Sequence, residues 1–317
     1  MVALVTGSAG FVGRHMVREL RKNDFQVDEL DVNTHHGDRI DVRNIKHLEE
    51  FNKYQYDIVV HAAAHVGGRQ DIESRGAYIM ANNLQLDAAM FQWAMEAHPR
   101  HFVYLSSSAA YPISLQRARD ALYDTIGKSD LRLLHEDDID LLHPELADAT
   151  YGQVKLVGER MAHEYATEAA TWGGRVHVVR PFSGYGSDQD STYPFGAFID
   201  RALHKEDPFY VWGDGNQIRD FIHIDDICAA IMKIRRDITS PVNLCNGTGY
   251  TMLQLAHMVC DAAGYTPLVV TDPTKPSGVF NRIGDPARMN GFYIPRVSLV
   301  RGIERALDER YKLQPWQ

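Results

Sequence analysis

Between residues 2 and 182 short apolar runs alternate with longer amphipathic stretches, and that rhythm constrains the fold of this 317-residue chain more than any other feature. VALVTG (2–7) reads as a buried strand and GRHMVRELRKND (13–24) as a helix. FQVDELDV (25–32) gives a second strand, and RIDVRN (39–44) a short third with a helix after it through residue 51. DIVVHAAA (57–64) is a fourth, with a long helix from about 78 to 97, and HFVYLSS (101–107) is a fifth. A helix from 151 to about 171 leads to RVHVVRPF (175–182), a sixth. Strand followed by helix, repeated, implies a parallel sheet covered by helices on both faces. The expected fold class is α/β, a doubly wound parallel sheet. Past Pro181 the rhythm breaks. Residues 183–317 are richer in Pro, Gly and aromatics, with short strands (FYVWG, PVNLCN, PLVV) and helices (CAAIMKIRR, MLQLAHMVCDAAG, LVRGIERALDERY). They read as a smaller C-terminal lobe, partly interleaved with a first domain of residues 1–182.

The first strand-to-helix junction is TGSAGFVG (6–13), in which Gly7, Gly10 and Gly13 follow the spacing GxxGxxG. Glycines there let the backbone turn tightly and approach a pyrophosphate. Its charge then rests at the N-terminus of the helix that begins there, with Phe11 and Val12 also in the loop that meets the cofactor. The sheet is thus expected to be of Rossmann type. Asp31 closes the second strand 18 residues beyond Gly13. A carboxylate at that point accepts hydrogen bonds from an adenosine ribose and repels a 2′-phosphate, which favours NAD over NADP. Arg14 and Arg39 argue the other way, since either can pair with a phosphate. Asp41 and Val42, after the third strand, are placed to meet the adenine.

Tyr151 and Lys155 open a helix four residues apart, so phenol and ammonium share one face. A nearby cation lowers a phenol's pKa toward working pH, and the phenolate can then take a proton from an alcohol while hydride leaves for the cofactor. The fifth strand ends in three serines, Ser106, Ser107 and Ser108, where one hydroxyl would suffice for a turn.

Composition narrows the alternatives. A net charge of −9 argues against a nucleic-acid surface. The three cysteines, an odd number without CxxC spacing, suit a reducing interior better than a disulfide frame or zinc site. The N-terminus lacks the basic leader of a signal peptide, and no run approaches the roughly 18 apolar residues that span a membrane. A cytoplasmic protein is expected. The histidines form no HExxH, His35 and His36 sit in a polar loop, and His61, His65 and His223 are expected to be structural, so no metal is expected.

TGSAGFVG, Asp31, HAAAHVGG (61–68), LSSSAAYP (105–112), YGQVK (151–155) and WGDGNQIRDFIHIDD (212–226) together resemble the extended short-chain dehydrogenase/reductase family, and within it the nucleotide-sugar epimerases, dehydratases and reductases. The likeness covers nearly the whole chain. It implies that the catalytic hydroxyl lies four residues before the tyrosine that here is Tyr111, which makes it Ser107, with Ser108 as the fallback. It implies Tyr151 as base, and Lys155 as the residue that holds both the phenolate and the nicotinamide ribose. Ala62, Ala63 and Asn83 match positions that line the cofactor. Arg219 and Arg282 match arginines that clamp a substrate diphosphate. Ser183 stands where many relatives carry Asn at a substrate contact. Phe209 and Tyr210 pass beside the nucleobase, and Gly67 and Gly68 leave room for the sugar ring.

The residues just after Ser107 also exclude chemistry under that resemblance. Dehydratases place acidic residues there, decarboxylases a Glu, and GDP-fucose synthases and GDP-mannose 3,5-epimerases a Cys. This chain has Ser108 and Ala109. An NAD-dependent epimerase that oxidises a sugar hydroxyl and returns the hydride to the other face fits, as in a 4-epimerase. An NAD(P)H-dependent keto-sugar reductase also fits, and a non-catalytic cofactor-binding protein is the third reading. Ser107 and Tyr151 stand 44 positions apart, longer than is usual among the relatives, and 115–126 is patterned like an amphipathic helix, which reads either as surface decoration or as a lid or dimer element. A homodimer through the helices 78–97 and 151–171 is expected, with Ala88, Ala89, Met90, Met161 and Ala162 suited to close packing.

Overall fold

A computed structural model describes residues 1–33, 39–52, 54–117, 131–234 and 240–313. The chain runs β1 (Val2–Thr6), α1 (Phe11–Lys22), β2 (Gln26–Leu30), α2 (Ile45–Glu49), β3 (Ile58–His61), α3 (Arg69–Ser74), α4 (Gly76–Ala97), β4 (His101–Leu105), α5 (Ala149–Ala169) and β5 (Arg175–Pro181). It continues through β6 (Ser183–Tyr185), α6 (Pro194–Leu203), β7 (Phe209–Trp212), β8 (Ile218–His223), α7 (Ile224–Ile234) and β9 (Val242–Leu244). The last elements are β10 (Gly249–Thr251), α8 (Met252–Ala262), β11 (Val269–Asp272), β12 (Asn281–Arg282), α9 (Ala287–Asn290) and α10 (Leu299–Leu313).

Six strands form one parallel sheet in the order β2-β1-β3-β4-β5-β9. Both faces are covered, which is why β3 and β4 read as continuous apolar runs rather than alternating ones. On one face Met16, Val17 and Leu20 of α1 pack with Ile227, Ile231 and Ile234 of α7. On the other, Met90 and Trp93 of α4 meet Ala162 and Tyr165 of α5. The buried positions of α1 recur at helical spacing, and its last turn carries Arg21 and Lys22, favourable at the negative end of the helix dipole. A third core, built on Phe195, Phe198, Leu255, Val259 and Ile303, joins α6, α8 and α10 to the pair β11-β7. β8 pairs with β10, β12 and β6 in a separate small sheet. Among the described residues, no helix is long and apolar enough to cross a membrane.

Three sequence expectations are corrected. Residues 39–44 form turns rather than a strand: Ile40 N donates to Asp31 O at 3.0 Å, and Asn44 N to Asp41 O at 3.0 Å. Ile40 and Val42 alternate as a strand would, but they bury against the second face of the sheet without pairing with β2. The run PVNLCN, assigned above to the C-terminal stretch, contributes β9 to the edge of the main sheet. Of the five residues offered for dimer packing, Ala89, Met90 and Ala162 are buried within the protomer, whereas Ala88 is exposed and Met161 half-buried. The amphipathic stretch 115–126 lies outside the described residues from 118 onward, as do His35 and His36.

Candidate active site

The glycine loop is built for close approach. Gly7 has φ +67°, and a Cβ on Gly13 would overlap the Gly7 carbonyl. The first intrahelical bond of α1 runs from Arg14 N to Gly10 O at 3.0 Å, so the N–H groups of Phe11, Val12 and Gly13 head the helix without an intrahelical partner. No side chain caps them, and the buried hydroxyl of Ser8 finds no hydrogen bond among the described residues. Such a cradle fits the pyrophosphate of a dinucleotide. Asp31 Oδ2 accepts from Ala9 N at 3.0 Å and Oδ1 from Asn33 N at 2.7 Å. The carboxylate is thus locked to the loop and still has lone pairs for ribose hydroxyls. Arg14, offered above as a phosphate partner, is committed to Asp188 at 2.7 Å, while Arg39 is exposed.

The other expected cofactor residues divide. Ala62 N donates to Thr6 O and Ala63 N to Thr6 Oγ1, both at 3.2 Å, so this stretch abuts Gly7. Asn83 is fully buried. Its Oδ1 accepts from His65 N at 2.7 Å, and its amide donates to His65 O and Ile79 O at 2.9 Å, so it shapes the loop after β3 with its polar atoms already bonded. The Asp41 carboxylate pairs with Arg43 at 2.6 Å, and that hydrogen bond holds its pKa below the usual range. The Val42 side chain belongs to the core and leaves only its backbone for a ligand.

At the ends of β4 and α5 the chemistry converges. Asp148 N donates to Ala109 O at 3.0 Å, which joins the serine turn to the first turn of α5. Each serine has a separate duty. The buried Ser106 hydroxyl donates to Glu159, which is bound by Arg180 at 2.7 and 2.9 Å. Ser107 is half-buried, and its Oγ accepts from Ala109 N at 3.1 Å, which leaves its proton free to donate. Ser108 is buried in the turn.

Lys155 is buried, with its ammonium 4.8 Å from the Tyr104 ring centroid and 5.9 Å from that of Tyr151. Burial lowers its pKa, opposed by the carboxylates of Asp87 and Glu159. Behind it runs a buried chain. Thr6 Oγ1 meets His61 Nδ1 at 2.7 Å, His61 Nε2 meets Asp87 Oδ1 at 3.0 Å, and Tyr104 OH donates to Asp87 Oδ2 at 2.6 Å. Despite its burial, Asp87 is held below the usual carboxylate range by Lys155 and by its bonds to His61 and Tyr104. The expectation that Lys155 lowers the Tyr151 phenol is not met in the free chain. Burial raises that phenol well above its ordinary pKa, and Tyr193 and Asp87 add to the effect. The physical reason is burial, which outweighs an ammonium that stands 5.9 Å from the centroid of the Tyr151 ring.

Three residues before Tyr151, Asp148 anchors a cationic cluster that sequence reading recovered only in part. Its Oδ1 accepts from Arg69 at 2.8 Å and its Oδ2 from Arg282 at 2.5 Å. Arg282 Nε donates to Gln116 Oε1 at 2.6 Å. Arg219 donates to the carbonyls of Ile218 at 2.8 Å and Ser277 at 3.2 Å, and a Cβ on Gly278 would lie 3.3 Å from both Arg219 and Arg69. Burial, together with Arg282 and Arg69, pushes the Arg219 pKa down to about 9. A guanidinium keeps its proton in proteins, so an anion is what relieves this crowding. Arg69, Gln116 and Asp148 line an open cavity of about 350 Å³, with Gly278 and Phe280 also in its wall. Asn281 donates to Arg132 O at 3.1 Å, so both described ends of the long segment between Ser107 and Tyr151 border this cluster.

The remaining expected residues lie around it. Ser183 is half-buried on β6, and Gly67 packs against Asp71. Tyr210 is 47% exposed on β7, whereas its neighbour Phe209 is core and unavailable to a ligand. His223 is buried, with Nδ1 accepting from Asp225 N at 3.1 Å. Arg69, Asp87, Asp148 and Tyr193 were missed. Only Asp148 carried a signal, a carboxylate one turn before the Tyr-Lys pair.

Comparison with known proteins bears on this arrangement. A family model described as the NAD dependent epimerase/dehydratase family matches residues 3–245. The chain is 28% identical over 307 residues to the dTDP-4-dehydro-6-deoxy-D-allose reductase of Streptomyces bikiniensis, a match that covers 90% of this chain and 89% of that one. It is 23% identical over 316 residues to the GDP-L-fucose synthase of Sinorhizobium fredii, covering 96% and 93% of the two chains. The crystal structure of UDP-glucose 4-epimerase with UDP-glucose from Thermotoga maritima superposes with a TM-score of 0.81 at 22% identity, over 99% of this chain and 100% of that one. The likeness to that structure is one of fold.

Proposed function

The chain belongs to the NAD dependent epimerase/dehydratase family, and on that premise we propose that it is a nucleotide-sugar epimerase that inverts a secondary alcohol carbon by transient hydride transfer, in the manner of a 4-epimerase. Bound NAD supplies reversible hydride acceptance. Tyr151 takes the proton of the sugar hydroxyl, Ser107 donates a hydrogen bond to the same oxygen, and Lys155 stabilises the phenolate and holds the nicotinamide ribose. Gly7, Gly10, Gly13 and Asp31 hold the adenosine half. Arg69, Arg219 and Arg282 take the diphosphate, with Ser108, Ser183, Gly67 and Tyr210 around the sugar and base. One observation carries this reading: Asp148, Tyr151 and Lys155 follow one another at the start of α5, so a single helix end joins the arginine cluster to the proton-transfer pair and the serine turn. The residues after Ser107, namely Ser108 and Ala109, bring no further acid or base, and reversible hydride transfer needs none.

Residues 1–182 then serve as the NAD-binding domain and 183–317 as the nucleotide-sugar-binding lobe. The placement of Arg219 and Arg282 on β8 and β12 supports this division. A homodimer is supported by large apolar side chains left exposed on α4 and α5, where Tyr78, Met95 and Val157 are 48, 37 and 46% exposed. A keto-sugar reductase is the second reading, favoured by the Streptomyces bikiniensis relative. Incubation of purified protein with a panel of nucleotide sugars, followed by proton NMR, separates the two. Interconversion of two sugars without added NADH, at constant absorbance at the NADH wavelength, is the expected outcome; turnover that consumes NAD(P)H stoichiometrically replaces it with the reductase.

A further inference from the structure

Asp148 is an unusual companion for an anion site. It is 6% exposed, bonds two of the three arginines, and lines the cavity together with one of them, Arg69. Against its burial, Arg282 and Arg69 hold its carboxyl below the usual range, so it is ionised at neutral pH. Three guanidiniums around one carboxylate leave a surplus of two positive charges; the exposed Glu73 and Arg117 at the rim offset each other. That surplus matches one kind of ligand. A diphosphate esterified at both ends, as in a nucleotide sugar, carries about two negative charges, whereas a free nucleoside diphosphate carries about three once its terminal phosphate ionises near pH 6.

We propose that Asp148 is a specificity-determining residue that tunes the arginine cluster to a doubly esterified diphosphate and rejects free nucleoside diphosphates by like-charge repulsion. The proposal rests on the nucleotide-sugar reading above and names the charge state that this site accepts. Removal of one partner alone would leave arginines that attract any polyanion; the carboxylate supplies the repulsive element that discrimination requires. Its position adds a second effect. Asp148 O accepts from Gly152 N at 3.0 Å, and the next residue, Ala149, has φ +54°, a conformation that a residue with a Cβ seldom adopts. The backbone of Asp148 is thus part of the turn that presents Tyr151, and its carboxylate fixes Arg69 and Arg282 to the start of that helix.

The test compares each nucleoside diphosphate with its sugar ester (UDP and UDP-glucose, GDP and GDP-mannose, dTDP and dTDP-glucose) by calorimetric titration of the NAD-loaded protein at pH 8. For the pair that binds, Asp148→Asn should tighten the free diphosphate by about tenfold and the sugar ester by less than about threefold. Asp148→Glu, which keeps the charge, should restore the wild-type ratio. Arg69→Gln, which removes a positive charge from a partly exposed position, should shift the ratio the opposite way, and it decides the matter if Asp148→Asn does not fold. A ratio unchanged in both Asp148→Asn and Arg69→Gln overturns the proposal. If no pair binds wild-type protein, the nucleotide-sugar reading fails, and titration with inorganic pyrophosphate then judges Asp148 alone: tightening in Asp148→Asn supports its repulsive role, and no change refutes it.

Discussion

The Tyr151 phenol is held protonated by its surroundings in the free chain, since burial, Tyr193 and Asp87 all disfavour the phenolate. Its use as a base therefore depends on the cation beside it and on what the glycine loop brings to the site. Tyr151→Phe keeps the ring and removes the proton acceptor. Turnover should fall by about 10² to 10⁴-fold or more while the affinity for nucleotide sugar, measured by titration, stays within about threefold; near wild-type turnover in this variant would remove Tyr151 from the mechanism. At this scale the sequence was readable wherever roles sit close together in the chain, as with Tyr151 and Lys155 on one helix face. Arg69 and Asp87 were unreadable because their partners, Asp148 and His61, lie 79 and 26 residues away, and nothing local marks either side chain. The pKa of Tyr151 was misjudged for a related reason: the i,i+4 spacing to Lys155 is local, while the burial that outweighs it comes from the whole fold.

Elements hold this site through a few buried carboxylates, and Asp220 on β8 is the clearest case. Its oxygens accept from Asn246 N at 2.9 Å, Gly247 N at 2.8 Å and Gly284 N at 3.3 Å, which ties two loops to the strand that carries Arg219. Burial nevertheless pushes its pKa up to about 7. The folded chain then keeps a proton that the unfolded chain sheds at about pH 4. This contribution to stability is fully present below about pH 4, declines as pH rises to about 7, and is flat above; the loss is on the order of 4 kcal/mol. Urea midpoints at pH 5 and pH 8 should fall further in wild type than in Asp220→Asn, and equal losses would show that Asp220 titrates as it does in water. The sheet strands were legible because burial on both faces makes them continuous apolar runs bounded by turns. Residues 39–44 misled because Ile40 and Val42 bury with the two-residue spacing of a strand, yet only hydrogen-bond pairing, invisible in sequence, makes a strand of such a run.

In the whole molecule, α4 and α5 cover one face of the main sheet and leave Tyr78, Met95 and Val157 outward. If two copies join there, Val157→Glu places a charge in the contact and should convert a dimer to a monomer in sedimentation velocity at micromolar concentration, with turnover retained per folded chain; a wild-type monomer at that concentration would leave these side chains without this role. A change of rhythm near residue 182 was legible in the sequence, but the return of β9 to the main sheet was only hinted at, because three residues, Val242–Leu244, carry too little pattern to reveal their neighbour. That return sets an order of events during synthesis. The sheet begins at Val2 and receives its last strand only when residue 244 has emerged, and α7, which covers part of its first face, precedes β9 by few residues. A ribosome-bound chain that has passed residue 182 still presents the β5 edge and the apolar surface that α7 will cover. The nascent protein must keep that surface from other chains for some 60 residues of elongation, about 3 to 12 seconds at ordinary rates of translation, before its founding sheet is complete.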